Sequence, residues 1–220
     1  MIRDNSLKIL TEEFIALTDI MSEQFVLVGK HLEQSITPEE LKKVRENEKN
    51  IDFMENKIRE TVINDIVRLT PRAIDLRRMV STLNIIVDIE RMGDILNSIC
   101  KRLPIIIESK SVWKKYQPKL ISLFGMVSKM FDNIVYALHT ENNYIARNII
   151  ATDDSIDESY HEIHQMLFQK DVKAAEMPAY LNLSRILYFM ERIGDSCTNI
   201  AEDLLYLTEG INARHTDIDS

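Results

Sequence analysis

Apolar residues recur at helical spacing along most of the chain. From Ser6 to about Gln34, Leu7, Leu10, Phe14, Leu17, Met21, Phe25, Val28 and Leu32 form one stripe, which predicts a first helix. Thr37-Pro38-Glu39-Glu40 then reads as an N-cap, a proline at the first helical position and a capping-box glutamate. A second helix therefore starts at Pro38 and runs to about Leu69, where Thr70-Pro71 ends it. The third begins near Ala73, carries Leu76, Met79, Val80, Leu83, Ile86 and Val87, and is predicted to stop near Leu103-Pro104. Residues 104–117 interrupt the periodicity with Trp113, Tyr116 and flanking prolines, and read as a linker. A fourth helix is expected from Pro118 to about Thr140, a fifth from Asn142-Asn143 to about Gln169, and a sixth from Ala179 to about Leu207 with Gly210 as its C-cap.

Three helices, a linker and three more helices suggest duplication, and the residues bear this out. Glu90-Arg91-Met92-Gly93-Asp94 returns 101 positions later as Glu191-Arg192-Ile193-Gly194-Asp195. Phe25, Val28 and Leu32 correspond to Phe131, Ile134 and Leu138, and Ile51, Asp52 and Ile58 to Ile156, Asp157 and Ile163. The predicted fold is all-α: two tandem antiparallel three-helix bundles, residues 1–103 and 118–210, with a polar tail at 211–220. Helices of about 30 residues would make each bundle roughly 45 Å long.

Composition supports this reading. The chain is 45% hydrophobic, enough for a full core, and has only five glycines and five prolines, too few for a turn-rich β fold. A formal net charge of -8 without a basic tail argues against nucleic acid as the partner. Cys100 and Cys197 fall in apolar helical patterns without C-x-x-C spacing, as expected of buried thiols in a reducing compartment. Apolar runs such as Ile105 to Ile107 fall far short of a membrane span, and no signal sequence opens the chain. The expected location is the cytoplasm.

The repeated pentapeptide also carries the candidate chemistry. Glu and Asp at i and i+4 stand on one helical face a turn apart, where like charges repel, and each copy adds a mid-helix glycine costing about 1 kcal/mol relative to alanine. A cation would remove the repulsion, and the missing side chain would admit a neighbouring helix or the ion. The second and fifth helices carry matching pairs, Glu48 with Asp52 and Asp153 with Asp157. With 35 acidic residues some such pairs arise by chance as solvated faces, but repetition in register with E-R-x-G-D favours a site. Four facing carboxylates would offer up to eight oxygens to a hard cation such as Fe(III), Mn, Mg or Ca.

His161 completes an E-x-x-H with Glu158, but Asn56 stands there in the first half, so His161 is at best an accessory ligand. Asn199 and Glu202 extend the Glu191/Asp195 stripe, where the first half has Ser98 and Lys101. Arg91 and Arg192 read as structural ion-pair partners. There is no Gly-rich phosphate loop, nucleophile motif or zinc-finger spacing, so nothing points to catalysis.

The duplicated E-R-x-G-D, the segment Thr70-Pro71-Arg72-Ala73-Ile74-Asp75-Leu76-Arg77 and the ending Glu209-Gly210-Ile211-Asn212-Ala213-Arg214-His215 together resemble the PhoU family over nearly the whole chain. That resemblance implies paired three-helix bundles of spectrin-repeat type, each holding a multinuclear metal cluster, iron foremost with zinc or another divalent ion as alternatives. Glu48, Asp52, Glu90 and Asp94 would ligate one cluster, and Asp153, Asp157, Glu191 and Asp195 the other. It also implies a non-enzymatic cytoplasmic negative regulator of the phosphate-starvation response. Such a protein would link the ATPase subunit of the phosphate ABC transporter to a phosphate-sensing histidine kinase and form a homodimer. The alternatives are a regulator of a sodium-phosphate symporter and a carboxylate-bridged metalloenzyme. Asp153 in place of Glu, and Ser98 and Lys101 in place of Asn and Glu, are departures from the family pattern.

Overall fold

The computed structural model describes residues 2–168 and 172–210. The first bundle comprises α1 (Ile2–Leu32), α2 (Pro38–Leu69) and α3 (Ala73–Glu108), and the second α4 (Lys110–Thr140), α5 (Asn143–Phe168) and α6 (Met177–Glu209). A single 3-10 turn, Ala174–Glu176, leads into α6, and the described residues contain no strand. The expected end of the fifth helix at Gln169, the tail at 211–220 and the Ile211-to-His215 part of the family ending lie outside the described residues.

Local chemistry sets several of these boundaries. At the start of α2 the Glu40 amide donates to Thr37 Oγ1 at 3.2 Å and the Thr37 amide donates to Glu40 Oε2 at 2.9 Å, a closed capping box. At the end of α6, Gly210 turns left-handed with φ 74° while its amide donates to the Tyr206 carbonyl, satisfying one of the orphan acceptors of the last turn.

The linker expected at 104–117 is helical except for Ser109. Pro104 lies inside α3 and Pro118 inside α4, each removing a backbone hydrogen bond at a cost of about 3 kcal/mol. Against this, Leu103, Ile106, Val112, Trp113 and Tyr116 are all buried, and each buried apolar side chain returns about 1.5–3 kcal/mol. Packing therefore outweighs the two breakers, and α3 passes into α4 at one residue. For the same reason α4 begins eight residues before the expected Pro118. By length and hydropathy α4 also meets the criterion for a membrane span, contrary to expectation; its apolar stripe packs against α1, α5 and α6.

Each bundle packs internally, and the two meet mainly along α3 and α6, with α1 against α4 beside them. Phe25 and Phe131, equivalent positions of the repeat, stack across the seam with ring centroids 4.5 Å apart. Along α3, Asn84, Met92 and Arg102 touch Asp203, Cys197 and Asn182 of α6, so the two helices run antiparallel. Both E-R-x-G-D segments consequently lie at the middle of the seam.

The glycines of these segments sit where neighbouring helices come closest. A Cβ on Gly93 would stand 3.2 Å from Ile51 Cδ1 of α2, and one on Gly194 would stand 3.2 Å from Asp153 Oδ1 of α5. Gly125, by contrast, faces open space. Gly125→Ala is therefore expected to stabilise the protein by about 1 kcal/mol through helix propensity. Gly93→Val should destabilise it by about 1–3 kcal/mol through overpacking, both read from urea denaturation.

His31, in the last turn of α1, is 7% exposed, and its Nδ1 lacks a hydrogen-bond partner. Burial holds its imidazole below the usual range. The unfolded chain then takes up the proton first, so stability contributed by neutral His31 is present above about pH 6.5 and is lost as pH falls. His31→Leu should flatten denaturation midpoints between pH 7 and pH 5; an unaltered slope would assign the effect elsewhere.

Candidate metal centres

In the first half, α2 and α3 bring Asp52, Glu90 and Asp94 together. One carboxylate oxygen from each lies within 4.8 Å of the others, and among the described residues this is the one trio of metal-ligating side chains at that spacing. Asp52 and Glu90 are half-buried and Asp94 is exposed. Burial pushes the carboxyl of Asp52 above its ordinary range, and the charges of Glu48, Asp94 and Glu55 push it further. Glu90 is raised for the same first reason, then by Asp94, Asp52 and Glu55, against a smaller opposing pull from Arg91. Glu48 is thus close enough to act on Asp52 without belonging to the trio.

Glu55 was not anticipated. It is 6% exposed and paired with Arg59. The signal for it was present, since Glu48, Asp52 and Glu55 continue one helical stripe at i, i+4 and i+7.

In the second half the equivalent carboxylates act on one another in the same way. Asp153 is pushed up to about 6, first by burial and then by Asp157 and Asp195, with a hydrogen bond to Thr198 opposing. Burial also raises Glu191, with Asp195, Asp157 and Asp153 adding to it and Arg192 opposing. Asp195 is likewise raised by burial, moderated by Arg192 and raised further by Asp157. Glu191 Oε2 is buried with no hydrogen-bond partner. The position equivalent to Glu55 is Tyr160, whose phenol is raised by burial and by Glu191. Tyr160 and Thr198 escaped sequence reasoning because neither is a charged repeat of its counterpart.

The accessory candidates separate. Asn199 lines a cavity with Asp153 and Asp195. Glu202 is half-buried and is not among that cavity's lining residues. His161 is exposed, its Nδ1 lies 2.8 Å from the Asp157 carbonyl, and its ring packs edge-on against Tyr160. The arginines form the expected short-range pairs, Arg91 with Asp88 at 2.9 Å and Arg192 with Asp195 at 4.0 Å. Both cysteines are free and buried, and burial pushes the Cys100 thiol up to about 12, so neither is a reactive thiolate.

The donor chemistry fits a hard cation. Each half gathers carboxylate groups that disfavour one another's ionisation, and the second half contains a buried oxygen, Glu191 Oε2, without a hydrogen-bond partner among the described residues. In such a site a bound cation would supply charge neutralisation; Asp52, Glu90 and Asp94 would hold it in the first half, whereas Asp153, Asp157, Glu191 and Asp195 are not brought to the same mutual spacing.

A duplicated three-helix bundle with an acidic cluster in each repeat, set about a central helix pair, defines the class of protein. The PhoU domain model matches residues 16–103 and again 120–204, and the chain belongs to the PhoU family. It is 30% identical over 178 residues to the phosphate-specific transport system accessory protein PhoU of Escherichia coli strain K12, covering 79% of this chain and 72% of that one. It is 27% identical over 210 residues to PhoU homolog 1 of Thermotoga maritima, covering 92% and 90% of the two chains. The crystal structure of PhoU from Pseudomonas aeruginosa superposes with a TM-score of 0.84 at 23% identity, covering 94% of this chain and 99% of that one, which shows the shared fold.

Asp153→Asn separates ligation from simple repulsion. In chelator-treated protein the substitution should raise the melting midpoint by roughly 1–3 °C, because a repelled charge is removed. In metal-loaded protein it should lower the midpoint, because a ligand is lost. The same sign under both conditions would speak against a bound cation.

Proposed function

We propose that this protein is a metal-binding, non-enzymatic regulator of phosphate uptake and of the phosphate-starvation response. The observation that carries the reading is the pairing of family membership, with relatives named as accessory proteins of phosphate-specific transport, with the acidic trio of the first half and the mutually repelling carboxylates of the second. Metal, iron foremost, would tie α2 to α3 and α5 to α6, so that its binding energy appears as folding stability. The fixed surface then acts as a cytoplasmic adaptor between the ATPase subunit of a phosphate ABC transporter and a phosphate-sensing histidine kinase. It holds signalling off when phosphate is ample, and it works as a homodimer.

A role without turnover suits the side chains present. Both thiols are buried, and the E-x-x-H that a di-iron oxidase would carry on two helices occurs on one.

Affinity capture from phosphate-replete cells with metal-loaded protein is expected to recover the transporter ATPase and the kinase. Recovery should fall several-fold with the Asp52→Asn, Asp157→Asn double variant. Recovery of neither partner, with an unaltered starvation response in a deletion strain, would overturn the adaptor reading.

A further inference from the structure

Along α6, Leu181, Arg185, Tyr188 and Arg192 are spaced i, i+4, i+7 and i+11 and so share one face of the helix, which Phe189 and, from α3, Arg102 adjoin. Leu181 is 64% exposed and Tyr188 37%, and Arg185 is exposed with them. The guanidinium carbon of Arg185 lies 4.8 Å from the Phe189 ring centroid and 5.1 Å from that of Tyr188. Arg102 stands over the same Phe189 ring at 5.5 Å, and Arg192 over Tyr188 at 5.9 Å. Three arginines thus gather on two rings, at distances where cation–π attraction acts.

Duplication does not account for this face. The equivalent positions of α3 hold Asn84, Val87 and Asp88 where α6 has Arg185, Tyr188 and Phe189. In the first half Asp88 pairs with Arg91 at 2.9 Å. Phe189 stands in place of that acid, and Arg192 is left with the Tyr188 hydroxyl at 3.4 Å and Asp195 at 4.0 Å. Arg102 and Arg185 form no ion pair among the described residues. Arg102 Nη1 donates to Asn182 Oδ1 at 3.2 Å, while its Nε is buried without a hydrogen-bond partner among the described residues. A chain of net charge -8 therefore carries a concentrated, weakly compensated positive patch on aromatic ground.

We propose that this face is a docking surface for an acidic segment of a partner protein, a short stretch that carries Asp or Glu carboxylates among apolar side chains. Guanidinium forks take carboxylates in bidentate fashion, and stacking on the rings holds the forks in place before the partner arrives, so less side-chain freedom is lost on binding. Arg and Tyr are also the residue types that dominate interface hot spots, and Leu181 offers an apolar seat beside them. Charge selects the class of partner. Asp195, Glu191 and Asp157 begin an acidic region next to Arg192, and the chain as a whole is acidic. An extended polyanion, whether a nucleic acid or an anionic bilayer, would be repelled beyond the patch, whereas a segment whose negative charge is local is attracted here alone. Docking at this face is independent of the metal centres, and it adds to the adaptor reading a place and a charge for what binds.

The test is selection from a random dodecapeptide library on the full chain, with counter-selection on the Arg185→Gln variant, followed by fluorescence anisotropy of the recovered peptides. Peptides rich in Asp and Glu are expected. They should bind wild-type protein saturably and Arg185→Gln or Tyr188→Ala roughly tenfold more weakly, and lose affinity as salt rises from about 50 mM to about 300 mM. Arg45→Gln, an equal charge change on the exposed face of α2, should bind as wild type does. Arg185 is exposed, so its replacement leaves the core intact, and an unaltered melting midpoint checks this. Recovered peptides without acidic residues, or acidic peptides that Arg185→Gln binds as tightly as wild type, overturn the proposal. Arg185-dependent binding of phosphatidylserine vesicles or duplex DNA that is tighter than that of every recovered peptide also overturns it, because the face then serves an extended polyanion. Each of these results leaves the adaptor reading to stand or fall on capture of the ATPase and the kinase.

Discussion

Mutual repulsion among half-buried carboxylates is the constraint around which this molecule is arranged. Asp52, Glu90 and Asp94 put oxygens within 4.8 Å of one another, and Asp153 is held near pKa 6 by burial and two neighbouring aspartates. Left unbalanced, such groups push α2 from α3 and α5 from α6. The adjacent glycines do the reverse, removing the side chain that would keep each helix pair apart. Close approach of helices and concentration of like charge are combined at the same turn of helix twice, which is the conflict that the proposed cation would relieve.

Antiparallel packing of α3 on α6 turns two local motifs into one central feature. Because each bundle contributes its third helix to the seam, both E-R-x-G-D segments lie on the helices that join the bundles. The same two helices are tied to each other by Met92 against Cys197 and Asn84 against Asp203. The halves are not equivalent: Glu55 and Arg59 occupy the positions that Tyr160 and His164 fill in the second repeat, and Asp153 and Asp195 of the second half line a cavity with Asn199.

The six helices, their caps at Thr37 and Gly210, and the meeting of Asp52 with Glu90 and Asp94 could be read from periodicity and repetition, because those signals are local or duplicated. The passage at Ser109 could not. Pro104 and Pro118 look like breakers until the burial of Trp113 and Tyr116 is known, and burial is a property of the whole fold. Likewise Arg91 reads as a partner of its own helix, as its pair with Asp88 shows, and only the crossing of α3 and α6 reveals that it lines a cavity together with Asp195 of α6. Glu48 stands beside rather than within the first trio, since sequence spacing fixes a face of a helix but not the distance across to the next one.

The most direct measurement is anomalous X-ray diffraction from crystals of the protein purified without chelator and loaded with a transition metal. Density peaks between Asp52, Glu90 and Asp94, and among Asp153, Asp157, Glu191 and Asp195, are the expected result. A map without peaks at both places, from protein in which these side chains turn away from one another into solvent, would contradict it.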